Sequence, residues 1–152
     1  MQHSADRILT TYVGSLPRSE KLLQMLTDKE AGYGVDEGAF EAQVERDLDS
    51  VLRKQHEVGV DIVCDGELPR LGFSFYVKDR MSGFGGYSSR GTVTDFAKFP
   101  GYAKLKQQQA AKGDEISMSA TLYDMPECQN RVKYDPDKRV VRQELRLFKE
   151  AL

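Results

Sequence analysis

The sequence predicts an α/β protein with parallel strands, and three observations carry that prediction. Two short β-prone runs, Ile8 to Val13 and Val60 to Cys64, are separated by two stretches whose apolar residues recur at helical spacing. The connections are short, so successive strands run parallel through right-handed crossovers. Each run ends in a turn of small and acidic residues, Gly14-Ser15 and Asp65-Gly66, and both turns therefore fall on one side of the sheet.

Ile8 to Val13 reads Ile-Leu-Thr-Thr-Tyr-Val and passes directly into Gly14-Ser15-Leu16-Pro17-Arg18-Ser19, after which Leu22, Leu23 and Leu26 mark a helix. Pro17 fits the first turn of that helix, where its missing N–H is no loss, and it drives Leu16 into an extended conformation. Gly14 lets the backbone approach a neighbour closely. The turn N–H groups, the Ser15 hydroxyl and the positive end of the helix together suit a small anion such as a carboxylate.

A turn at Ala31-Gly32-Tyr33-Gly34 precedes the longest predicted helix, about Asp36 to Val58. Phe40, Val44, Leu48, Val51, Leu52, Gln55 and Val58 share one face, opposite Glu45, Arg46, Asp49 and Arg53. Asp36 supplies the N-cap and Gly59 the stop. His56 has no second histidine or cysteine at ligand spacing, so it reads as a surface or boundary imidazole.

Val60 to Glu67, Val-Asp-Ile-Val-Cys-Asp-Gly-Glu, reads as a buried strand that delivers Glu67 from its C-terminal end, where α/β folds keep their chemistry. A carboxylate there serves equally as a base, a metal ligand, an anchor for a substrate ammonium group or a cap for the next loop. Topology sets it beside the Gly14-Ser15 turn. An anion-accepting turn next to a carboxylate fits a zwitterion.

Downstream, a short helix is predicted over Phe73 to Met81, and the glycine and serine density from Ser82 to Gly91 predicts a loop. A helix over Tyr102 to Lys112 and strands over Glu115 to Leu122 and Glu127 to Tyr134 follow. Asp135-Pro136-Asp137 opens a last helix with an apolar stripe of Val141, Leu145, Phe148 and Leu152.

With 152 residues, 39% hydrophobic and 30% charged, the chain is expected to form a single domain, 1–152, around one core. A net charge of −2 gives no field to attract nucleic acid or an anionic membrane. No apolar run reaches spanning length, and Met1 to Arg7 lacks the apolar segment of a signal peptide, so a cytoplasmic protein is expected. Cys64 and Cys128 lack metal or disulfide spacing and are expected to be buried, reduced thiols.

Thr10-Thr11-Tyr12-Val13-Gly14-Ser15-Leu16-Pro17-Arg18, with Val60 to Glu67 and Gly83-Phe84, resembles the start of the catalytic barrel of the cobalamin-independent methionine synthase family and its shorter relatives. The resemblance implies a partial (β/α)8 TIM-barrel-like fold, its first three to four βα units. It implies methyl transfer from methyltetrahydrofolate to homocysteine, held as a zinc-bound thiolate. Val13, Gly14 and Ser15 match the turn that holds the homocysteine carboxylate, and Glu67 matches the residue that binds its amino group. Tyr87-Ser88-Ser89-Arg90-Gly91 is similar to a family segment near the folate, which makes Arg90 and Gly91 candidate folate contacts.

The family's zinc ligands and proton-donor histidine come from later barrel strands, so no metal ligand or catalytic residue is carried onto this chain, and zinc is expected only in the completed barrel. Cys128-Gln129-Asn130-Arg131-Val132 stands where relatives tend to show Gly-Pro. Methyl transfer to a thiol needs a thiolate, usually made by zinc, so the isolated chain is expected to be inactive. A barrel cut after about three strands leaves open edges, which implies a homo-oligomer or a complementary barrel chain. The alternative is a non-catalytic binding or interaction module descended from the family. A third reading is an α/β domain whose motifs only shape the fold.

Overall fold

Helix starts are decided by side chains that take up the first free N–H groups. In the computed structural model, which describes residues 4–88, 98–111 and 125–152, Ser19 caps α1 (Glu20–Glu30) and Asp36 caps α2 (Glu37–Glu57). The Asp36 carboxylate accepts from the Ala39 N–H at 2.7 Å, and Gly59, at φ +79°, follows the C-cap Val58. The later elements are α3 (Phe73–Arg80), β1 (Met81–Ser88), α4 (Pro100–Ala111), β2 (Met125–Tyr134) and α5 (Arg139–Ala151).

The chain divides into two compact units, Met1–Phe73 with Pro136–Leu152, and Ser74–Asp135. The core of the first is helical: Leu22 and Leu26 of α1, Phe40, Val44 and Leu48 of α2, Leu147 of α5 and the loop residue Leu68 form one buried cluster. Removing each such side chain from water contributes about 1.5–3 kcal/mol. Helix α5 turns toward α2 a face of Leu147, Phe148 and Ala151, whereas Leu145 and Leu152 are exposed. The expected stripe is therefore displaced. Gln143 and Arg146 set the rotation, since both donate to the Glu41 carboxylate on α2. Val58, expected on the buried face of α2, is exposed beyond the last helical turn.

The two runs expected as parallel strands lie side by side in the parallel sense, joined by one bridge between Thr11 and Ile62. The Ile62 N–H donates to Thr10 O at 3.1 Å, and the Thr11 hydroxyl to Ile62 O at 2.7 Å. Neither run extends into a regular strand, and Val60 to Cys64 is not the buried strand its composition predicts, with Ile62 exposed. Parallel strands need neighbours on both edges and cover on both faces, and among the described residues each run has one neighbour. Side chains supply part of what a ladder would: buried Gln55 accepts from the Cys64 N–H at 3.1 Å and donates to Cys64 O at 2.9 Å.

In the second unit β1 pairs antiparallel with β2, from Met81 opposite Tyr134 to Ser88 opposite Met125, with two register shifts. The expected loop at Ser82 to Gly91 is thus a strand as far as Ser88. Its glycines sit at the irregularities: Gly83 has φ +93°, and a Cβ there would stand 2.8 Å from the carbonyl oxygens of Asn130 and Arg131. The Arg80 guanidinium lies over the rings of Tyr76 and Tyr134, 5.3 and 5.2 Å from their centroids. The expected strand over Glu127 to Tyr134 is present, whereas the one over Glu115 to Leu122 lies outside the described residues. Both thiols were expected to be buried, yet Cys128 is exposed on β2 and Cys64 is half-buried.

Candidate functional site

The ends of the two parallel runs meet. Leu16, held extended before Pro17, donates its N–H to Gly66 O at 2.8 Å. The Ser15 hydroxyl donates to Glu67 Oε2 at 2.7 Å. Tyr12 closes the first turn, its hydroxyl donating to Ser15 O at 3.0 Å. Gly14 has φ +107°, a backbone state that a side chain disfavours, although nothing lies within 4 Å of where a Cβ would stand.

The second turn is built from its own sequence. The Asp65 carboxylate accepts from the Glu67 N–H at 3.1 Å, an Asx-type turn, and Gly66 and Glu67 both adopt positive φ, +59° and +56°. For glycine that is cheap. For a glutamate it costs about 1–2 kcal/mol, a strain that the surrounding contacts must offset. Arg70, itself paired with Asp65 at 3.3 Å and with Glu144 of α5 at 3.0 Å, closes the loop.

The pieces expected at one place are thus partly together. Ser15 and Glu67 are joined, with Gly14 adjacent, while Val13 points its side chain into solvent. The positive end of the first helix is not part of this arrangement. Pro17 lies two residues before the cap, outside the first turn, because Ser19 is tied inward: its N–H and hydroxyl both donate to Asp47 at 2.8 and 2.9 Å. Asp47, itself buried, already supplies the anion at that helix end, and Gln43 donates to it at 2.9 Å. Arg90 and Gly91 lie outside the described residues.

Sequence reasoning passed over Asp61. Its carboxylate accepts from the Arg7 guanidinium, from the Thr10 N–H at 2.8 Å and from the Thr10 hydroxyl at 3.0 Å. The Arg7 hydrogen bond first, and the Thr10 N–H second, hold this carboxyl well below the usual carboxylate range. A Thr in one β-prone run and an Asp in the other was the available signal.

Among the described residues no three His, Cys, Asp or Glu side chains converge as a metal site. Glu67 is met by a hydroxyl rather than by thiolates or imidazoles, a donor set that does not fit zinc. Both Ser15 and Glu67 are reachable from solvent, the one exposed and the other half-buried. No helix among the described residues is long and apolar enough to cross a membrane.

The hydroxyl and the carboxylate thus meet on the loops that follow two adjacent parallel segments of an α/β protein. Residues 8–100, more than half of the chain, match the family described as cobalamin-independent synthase, catalytic domain. The chain belongs to that family. It is similar to the 5-methyltetrahydropteroyltriglutamate–homocysteine methyltransferase of Bacillus thuringiensis subsp. konkukian (strain 97-27), with 30% identity over 88 residues, 57% of this chain and 11% of that protein. The proteins of the same name from Bacillus cereus strains AH187 and G9842 are 31% identical over the same shares. The match therefore spans about a tenth of the length of these relatives.

Proposed function

We propose that this chain supplies the amino-acid half-site of a 5-methyltetrahydrofolate–homocysteine S-methyltransferase, carried on the first three to four βα units of its barrel. The observation that supports this reading is the 2.7 Å contact of Ser15 with Glu67. An α-amino acid bears both charges on one carbon, so its receptor needs a donor and an acceptor side by side. On binding, the Ser15 hydroxyl turns its one proton from Glu67 to the ligand's carboxylate and Glu67 accepts from the ammonium group in its place, with Val13 and Gly14 shaping the turn. Homocysteine and methionine satisfy this pattern equally, one as acceptor and the other as product. Arg90 and Gly91 are the proposed folate contacts.

The chemistry sets what else is required. Methyl transfer consumes a thiolate, and zinc supplies it in this family by lowering the thiol pKa. The ligands for that metal belong to a further part of the barrel, on the same polypeptide or on a partner. The residues described here bind and orient. They do not activate the thiol.

Calorimetry with methionine and homocysteine tests this reading, and Glu67→Ala should abolish the heat of binding. Binding that persists undiminished in that variant would defeat it. Addition of the family's zinc-bearing segment should restore methylation of homocysteine.

A second reading, an interaction module without turnover, draws on Ile8 and Val13, which are 86% and 88% exposed. Apolar β-prone residues so placed favour pairing with another chain, a second copy or a complementary barrel segment. Sedimentation across a wide concentration range should show association. A monomer throughout, together with methionine binding, would leave only the first reading.

A further inference from the structure

Ser15 and Glu67 are both on loops, and a third residue fixes the distance between them. Gly66 and Glu67, both left-handed, bend the chain so that the carbonyls of Glu67, Leu68 and Arg70 converge. Carbonyl dipoles aimed at one place repel one another. The guanidinium of Arg18 stands there: Nη2 donates to Glu67 O at 2.7 Å and to Arg70 O at 2.5 Å, and Nε donates to Leu68 O at 3.2 Å. A planar guanidinium serves three acceptors in fixed directions, which the single ammonium of a lysine does less well.

Arg18 also lies three residues after Ser15, on the same extended segment whose Leu16 N–H is bonded to Gly66 O. One short run of chain thus carries the hydroxyl and grips the loop that carries the carboxylate. The geometry points to Arg18 as the positioning residue of the amino-acid half-site: it touches the main chain at Glu67 rather than the ligand, and it holds the strained turn that presents the carboxylate to Ser15. This inference rests on the half-site reading above and extends it. Because losing a hydrogen bond to a charged group costs about 10- to 100-fold in affinity, loss of the grip should be felt mainly by the ammonium group that Glu67 receives.

The test compares wild type, Arg18→Ala and Arg18→Lys, each below its measured unfolding temperature, against two ligands: methionine and 4-(methylthio)butanoate, which is methionine without its amino group. Wild type should prefer methionine. In Arg18→Ala the affinity for methionine should fall by about 10- to 100-fold while that for the deaminated analogue stays within about threefold, so that the preference collapses. Arg18→Lys, which keeps the charge, should lie between the two, and millimolar methylguanidinium should restore part of the preference in Arg18→Ala. If Arg18→Ala and Arg18→Lys unfold more readily but keep the wild-type preference, or if both ligands weaken together, Arg18 serves the fold alone and the inference is overturned. If wild type itself does not bind methionine, the half-site reading fails and the role of Arg18 falls with it.

Discussion

Leu16 and Gly66 touch at the main chain, 50 positions apart in sequence: the Leu16 N–H reaches Gly66 O at 2.8 Å, and a Cβ on Gly66 would stand 2.7 Å from the Leu16 Cβ. That approach brings the two site loops together, and it is available only to glycine. Gly66→Ala adds a left-handed penalty of about 1–2 kcal/mol to an overpacking cost of about 1–3 kcal/mol. A loss of about 2–5 kcal/mol in urea denaturation is therefore expected. Gly14→Ala, where φ is +107° but no atom lies near, should pay only the conformational part. Equal losses in the two variants would show that Leu16 can move aside.

Glu67 is a non-glycine residue at φ +56°, so its side chain is retained against a backbone preference. If the residue is there for its carboxylate, removing that carboxylate should relieve strain only when glycine replaces it. Glu67→Gly should be about 1 kcal/mol more stable than Glu67→Ala, and neither should bind methionine. Denaturation of the two variants side by side reads this directly; an alanine variant as stable as the glycine one would place the turn in another conformation.

Two carboxylates join segments distant in sequence. Asp61 is held low by the Arg7 hydrogen bond and then by Thr10, and Glu41 by the hydrogen bonds of Gln143 and then Arg146. A carboxyl with a folded pKa below its unfolded value stabilises the fold above the unfolded pKa, and that contribution is lost as pH falls through the folded one. Stability should therefore decline between about pH 5 and pH 2, the unfolded values being about 3.9 and 4.3. Asp61→Asn with Glu41→Gln should flatten that decline while lowering stability near neutrality. An unchanged acid slope in the double variant would assign the pH dependence to other groups.

Much of the site was legible because its signals are local. Gly14, Ser15, Asp65, Gly66 and Glu67 are residues whose types restrict the backbone, and the bridge of Thr11 with Ile62 brings them side by side as parallel topology requires. The helix start at Asp36 follows from capping chemistry, whereas the first helix, expected to hold Pro17 in its first turn, is capped at Ser19. What escaped was set by partners far along the chain. Asp47 claims the first helix end from α2, and Gln55, placed by spacing on an apolar face, is there to bond the backbone of Cys64. The glycines of β1 looked like a loop because nothing in their neighbourhood announces that β2 will pair with them.

The face of α5 gives the clearest quantitative check, since periodicity alone chose Leu145 and the fold buries Leu147. The two lie two residues apart on one helix and so on opposite faces: Leu147 is 2% exposed within the core of α1 and α2, and Leu145 is 51% exposed. Leu147→Ala should cost about 2–5 kcal/mol through lost burial and the cavity left behind. Leu145→Ala should change stability by less than about 0.5 kcal/mol. Glu144 shares the buried side with Leu147 and bonds Arg70 of the Glu67 loop at 3.0 Å, so Leu147→Ala should also loosen that loop and weaken methionine binding. Reversed costs for the two leucines would mean that α5 packs by the stripe of Val141, Leu145, Phe148 and Leu152 after all.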